Sequence, residues 1–225
     1  MQPGRVSRFL LALAGVVVTL AGSALAGPPL ICHPIAIGSA KSLSLLDWNA
    51  GDTAGYDVKS LSRDTVAILD SDANVLVHME TLRRATIFAR HDVEAARDLF
   101  LKVRSRAERS NASKSTDGLA WFDAGYLAEA YQQWLGKGES NPATGVDGYS
   151  WIRKAIALRG QDAEMEFAAA LVTLSGPETA HREHVRNAMA GAKSDALLRK
   201  NLALRFRQET VADMLAKTTS PESGK

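Results

Sequence analysis

The chain has 225 residues, with 27 Lys and Arg against 25 Asp and Glu, a formal net charge of +2, and a single cysteine. Near-neutral charge without a long basic run gives no electrostatic ground for nucleic acid or an anionic membrane as partner. One cysteine excludes an internal disulfide framework, so packing must supply the stability.

The chain opens on Arg5 and Arg8, an uncharged apolar run over 9–22, and the small-x-small triplet Ala24-Leu25-Ala26. Basic front, apolar middle and small-residue site form the secretory signal pattern, with cleavage expected after Ala26. The apolar run is short against the ~20 residues that span a bilayer. Arg5 and Arg8 are the only charges of residues 1–26, so a chain beginning at Gly27 keeps 25 of the 27 basic residues and all 25 acidic ones, a balance of zero. The expected location is secreted or periplasmic.

"GPPLICHPIAIGSAKS" (27–42) holds Cys32 and His33. A c-type haem needs a second cysteine three positions before Cys32, and a lipidated cysteine directly follows its cleavage site; neither condition is met. Neighbours in an extended strand point to opposite sides, so His33 is poorly placed to activate Cys32 as a nucleophile. A metal or redox role would need ligands from elsewhere. With Pro28, Pro29 and Pro34 as stiffeners and Leu30, Cys32, Ile35 and Ile37 as apolar contacts, 27–60 is predicted to be an extended N-terminal arm covering a helical array.

From residue 61 the apolar residues recur at steps of three and four, the signature of amphipathic helices. Helices are predicted over 62–70, 73–90, 92–110, 117–135, 147–160, 162–175, 178–192, 195–206 and 208–217, followed by a polar tail over 218–225. Asp92, Asp117, Asp162 and Asp195 each open a helical stretch, where a carboxylate can accept orphan amides and complement the dipole. Around three of these aspartates "RRATIFARHD" (83–92), "RKAIALRGQD" (153–162) and "RNAMAGAKSD" (186–195) share Arg and Ala at fixed offsets. The last two lie 33 residues apart, within the range of helix-pair repeats.

"WFDAGYLA", with Trp121, Ala124, Gly125 and Ala128, resembles the first helix of a tetratricopeptide repeat. "WIRKAIALRG", with Trp151, Lys154, Ala155 and Gly160, is similar to the second tetratricopeptide helix and to the Trp-x-x-Lys-Ala pattern of Sel-one-like repeats. The likeness covers about 117–206. Ala128 and Gly160 depart from the family's tyrosine and proline, and a long insert (136–148) separates the helices. The resemblance implies an all-α, solenoid-like array of antiparallel helix pairs over 61–217, presenting a groove for proteins or peptides and carrying no catalytic residues.

Within such a groove the candidate binding residues are Tyr126, Glu129, Trp151, Arg153 and Arg84. Glu80 with Arg83 and Arg84 reads as ordinary helix-face ion pairing, or alternatively as an anion-binding arginine. His181 and His184 share a helix face, but Glu178, Arg182, Glu183 and Arg186 around them indicate a solvated surface. No Gly-rich phosphate loop, Ser-His-Asp context or dinucleotide fingerprint is present, and no cofactor or metal is expected. "NAS" at Asn111 is a glycosylation sequon. The expected function is a protein- or peptide-binding scaffold of the cell envelope. The alternatives are an enzyme acting on envelope polymer through Asp123 and Glu129, and a metal or redox protein using Cys32 and His33.

Overall fold

Aspartate and asparagine side chains start most of the helices. Asp117 accepts from the amides of Leu119 and Ala120, Asp162 from Glu164 and Met165, Asp195 from Leu197 and Leu198, and Asp147 from Ser150. Asp92 accepts from the Ala95 amide at 2.9 Å, and Asn74 from Val77. Each satisfies amides that a helix start leaves unpaired, worth ~1 kcal/mol per cap.

A computed structural model describes residues 29–44, 55–112, 117–136, 138 and 140–206. Among these the chain forms eight α-helices and no strand. They are α1 (Leu61–Ser71), α2 (Val75–Ala89), α3 (Val93–Ala112), α4 (Gly118–Trp134), α5 (Gly148–Arg159), α6 (Ala163–Val172), α7 (Glu178–Gly191) and α8 (Ala196–Arg205). The protein is therefore all-α, and each predicted helix within the described residues is present. The predicted stretch 162–175 ends as a 3-10 turn over Thr173–Ser175. The predicted signal segment, the helix over 208–217, the tail and the Asn111 side chain lie outside what is described. No helix of the described residues is long and apolar enough to cross a membrane.

The helix α4 is the hub. It packs against α5, α3 and α2, while α6 packs on α7 and α1 covers α2 and α3. Helices α4 and α5 approach closely, and a Cβ placed on Gly125 would lie 2.6 Å from the Gly148 carbonyl oxygen. A Cβ on Gly148 would meet the Gly125 oxygen at 2.5 Å, so the two main chains touch and only glycine fits on either side. At the far end of α5, Gly160 adopts φ 74° and its amide bonds to the Ile156 carbonyl, closing the helix in the left-handed conformation that glycine takes without strain.

Helix α2 is buried nearly all round; only Arg84 of its fifteen residues is more than marginally exposed. That burial captures polar residues too. His78, Glu80 and Thr86 are each 0 % exposed and Arg83 is 1 % exposed. The expectation of helix-face ion pairing at Glu80 and Arg83 is thus corrected: the pair is interior. Burial of this kind is tolerated only when every charge is matched by partners; His78 finds them in Asp123 and Asp72, while Glu80 and Arg83 pair with each other and with main-chain groups of residues 29–44.

Candidate functional site

Residues 29–44 form neither helix nor strand and cross α2, α4 and α8. Leu30 and Ile31 are fully buried, with Ile35 and Leu43 nearly so. Burying such side chains contributes roughly 1.5–3 kcal/mol each. Between these anchors the main chain is held by side chains of the helices.

Helix α2 supplies one side of this seat. The Ile35 amide donates to Glu80 Oε2 at 2.8 Å, and Arg83 Nη1 donates to the Ile31 carbonyl at 2.9 Å. Arg84 Nη1 donates to the Leu43 carbonyl at 2.5 Å, and the hydroxyls of Thr81 and Ser42 lie 3.0 Å apart. Three-residue and four-residue spacing puts Glu80, Arg83 and Arg84 on adjoining positions of the helix. Glu80 receives Arg83 Nε at 2.7 Å and Arg84 Nε at 2.6 Å. Burial pushes its carboxyl upward, but the bonds and charge of Arg83, with the Ile35 amide and Arg84, outweigh that and hold it below the ordinary value.

Helix α8 supplies the other side. Asn201 is fully buried and reads residue 36 both ways: its Oδ1 accepts from the Ala36 amide at 2.8 Å while its Nδ2 donates to the Ala36 carbonyl at 2.9 Å. Arg205 donates from Nη1 to the Pro29 carbonyl at 3.0 Å and from Nη2 to the His33 carbonyl at 2.5 Å. From α4, Gln133 Oε1 accepts the Leu30 amide at 2.9 Å. Six side chains on three helices therefore bond to main-chain atoms of one segment. Contacts of that type fix a polypeptide's position without regard to its side chains.

Two further polar clusters lie among the helices. His78 bonds through Nδ1 to Asp123 and through Nε2 to the Asp72 carbonyl, and Asp123 also accepts from Arg106 at 2.8 Å. Arg106 in turn donates to Asp70, so α1 to α4 are joined through one network. In the second cluster His184 Nδ1 bonds to Glu166, Asn187 donates to the same carboxylate, and the Tyr149 hydroxyl lies 2.7 Å from His184 Nε2. His184 is only 9 % exposed, which corrects the solvated-surface reading of the His181–His184 pair. His181 instead bonds through Nδ1 to the Ala170 carbonyl.

The five candidate binding residues occupy three places. Glu129, Trp151 and Arg153 surround the start of α5: Glu129 accepts from the Tyr149 amide, and the Arg153 guanidinium lies 5.9 Å from the Tyr149 ring. Trp151 meets Trp121 edge-on, with ring centroids 5.7 Å apart. Burial pushes the Glu129 carboxyl upward despite the amide bonds it accepts. Arg84 is part of the seat for 29–44. Tyr126 is 0 % exposed and among the described residues its hydroxyl has no hydrogen-bond partner, yet it lies within electrostatic reach of Arg205, Arg83 and Glu80. Asn201, Arg205 and Gln133 were not among the candidates: a mid-helix Asn and a terminal Arg carry no local signal, and only the pairing of sequence-distant segments reveals them.

Asp123, one of the two carboxylates considered for catalysis with Glu129, has both oxygens engaged by His78 and Arg106. Cys32 is half-buried; burial raises its thiol pKa, partly offset by the charges of Arg205 and Arg83. Among the described residues no three of His, Cys, Asp and Glu come together to hold a metal ion. An open groove of about 600 Å³ runs between α1 and α3 and includes Val66, Leu101, Arg106 and Arg109 in its walls. No protein-family model, curated protein or solved structure matches the chain.

Proposed function

We propose that the protein is a secreted or periplasmic helical-repeat scaffold that binds protein or peptide segments of the cell envelope. In this reading the helices form a solenoid-like, tetratricopeptide-like array, with residues ahead of residue 61 as an N-terminal arm. The observation that carries it is the two-way bond from Asn201 to Ala36, the chemistry by which a side chain grips an extended main chain. Glu80, Arg83, Arg84, Gln133 and Arg205 act in the same way along the same segment. An array that organises buried polar groups around one polypeptide has the equipment to recognise another.

Engagement of Asp123 and Glu129 with protein donors also favours binding over turnover. The test is to pan the protein against a library of extended peptides and, in parallel, against envelope polymer. Saturable peptide binding that survives Glu129→Gln supports the scaffold. Polymer cleavage abolished by that substitution would establish the enzyme instead.

A further inference from the structure

We propose that Tyr149, His184 and Glu166 act as nucleophile, base and orienting group, and that Tyr149 accepts an acyl group from an activated ester, which makes it a site of covalent modification. The group shares no residue with the seat for residues 29–44 and does not depend on peptide binding.

Three helices bring these side chains together. The Tyr149 hydroxyl, on α5, lies 2.7 Å from His184 Nε2 on α7, and His184 Nδ1 bonds to Glu166 Oε2 on α6. Asn187 Nδ2 donates to the other Glu166 oxygen at 3.1 Å, so both carboxylate oxygens are held. A carboxylate facing Nδ1 keeps the proton on that nitrogen, which leaves the Nε2 lone pair to the phenol. The Tyr149 amide is fixed in turn by Glu129 Oε1 at 2.8 Å, and Gly148 beside it presses on the main chain of α4. A base within hydrogen-bond reach of a hydroxyl, and itself oriented by a third group, is the arrangement that activates a weak oxygen nucleophile.

All four tyrosines of the chain are among the described residues, and they differ in this respect. Tyr126 and Tyr131 are fully buried, and Tyr56 donates to Asp64, a far weaker base than an imidazole. Tyr149 is half-buried, with exposed Asp147, Ser150 and Arg153 around it in the sequence, whereas His184 and Glu166 are 9 % and 3 % exposed. Burial raises the phenol above its ordinary value, so it does not ionise unaided near neutral pH. Its proton has to pass to His184 as the new bond forms.

The surroundings select the donor. Glu183, Glu166 and Asp147 bear on the Tyr149 hydroxyl with Arg153 opposing them, a field that repels a polyanionic phosphoryl donor and admits a neutral acyl one. In the step, Tyr149 Oη bonds to the acyl carbon while its proton passes to His184 Nε2. The bond from that carbon to the leaving group then breaks, and His184 returns the proton to the departing oxygen or sulfur. The product is a phenyl ester, itself activated because a phenol of pKa ~10 leaves readily. The donor must carry a leaving group at least as good, which specifies a thioester (thiol pKa ~8.5) or an aryl ester rather than an alkyl ester.

The experiment treats the full-length protein with p-nitrophenyl acetate and locates the acetyl groups by peptide mass spectrometry. Hydroxylamine removes phenyl esters and spares amides, so it separates acetyl-tyrosine from acetyl-lysine. The expected result is a hydroxylamine-labile acetyl on Tyr149 that forms at least about tenfold faster than on Tyr56. Tyr149→Phe should abolish it. His184→Gln offers the phenol an acceptor that cannot take its proton, and should slow ester formation about a hundredfold. Glu166→Gln should slow it at least about tenfold, and Glu166→Asp should recover part of that loss. Rates are compared below the measured thermal midpoint of each variant. Equal labelling of Tyr149 and Tyr56, labelling of lysines only, or a wild-type rate in His184→Gln overturns the proposal. The comparison of Tyr149 with Tyr56 uses the unaltered protein, so it decides the outcome where His184→Gln fails to fold.

Discussion

His78 and Asp123 are joined by a 2.6 Å hydrogen bond in which neither side chain has any solvent exposure. The second ring nitrogen of His78 lies 2.9 Å from the Asp72 carbonyl. Both nitrogens face acceptors, so both must donate, and the ring is an imidazolium in the folded protein.

The first prediction follows from that charge. Burial pushes the His78 pKa down, but the charge and bond of Asp123 outweigh it, so the folded value lies above 6.5. Such a group stabilises fully below its unfolded pKa, and the contribution is lost as pH rises through the folded value. Glu164 acts in the same direction. Burial, with Asp162 and Asp195, pushes its carboxyl up to about 7, so the folded protein binds the extra proton between 4.5 and 7. The thermal midpoint should therefore fall on going from about pH 6 to 8. Glu164→Gln should flatten this slope, and a midpoint that rises over the interval would refute the account.

Asp123→Asn removes the only negative charge bonded directly to both His78 and Arg106 in the interior. Breaking a buried ion pair by neutralising one partner costs about 3–5 kcal/mol. Urea unfolding near pH 6 should show that loss. It should shrink at higher pH, where His78 of the wild type loses its proton as well.

Gly125→Ala forces a methyl group against the Gly148 main chain, where the obstacle is a backbone oxygen and not a movable side chain. Overpacking of that kind costs about 1–3 kcal/mol. Gly160→Ala, at a left-handed position with open space around it, should cost only the conformational strain, about 1 kcal/mol. Chemical denaturation of the two variants distinguishes contact from conformation.

Asn201→Ala leaves both main-chain groups of Ala36 without their partner. The expected loss is about 1–3 kcal/mol of stability. Alkylation of Cys32 should accelerate at least in proportion, since this bond helps to hold the segment down. Thr81→Ala, which removes one hydroxyl contact to Ser42, should have a much smaller effect on both readouts.

How far the sequence shows these features depends on their range. The starts of α4, α6 and α8 were legible because an aspartate capping amides two and three residues onward is a local device. The interior place of Glu80 and Arg83 was not, since the same three-residue spacing serves equally on a solvated face. What decides it is that α1, α3, α4, α6 and residues 29–44 all pack on α2, a tertiary fact. His184 was obscured for the same reason: Glu178, Arg182, Glu183 and Arg186 accompany it along α7, while its partners Glu166 and Tyr149 come from α6 and α5. Tyr126 reads as a groove residue because it is a large aromatic with Asp123 and Glu129 nearby, but its ring belongs to the packing of α4 beside Phe122.

The contacts from Pro29, His33 and Ala36 to α8 span 165 to 176 residues of chain. During synthesis the earliest of these residues emerges long before the helix that receives it. Until Asn201 and Arg205 leave the ribosome, Leu30, Ile31 and Ile35 lack one wall of their enclosure, so nascent chains short of α8 expose an adhesive apolar leader. Closure across such a separation is a late and slow event in folding. The interval before it is when a chaperone, or a competing segment, would find the seat open.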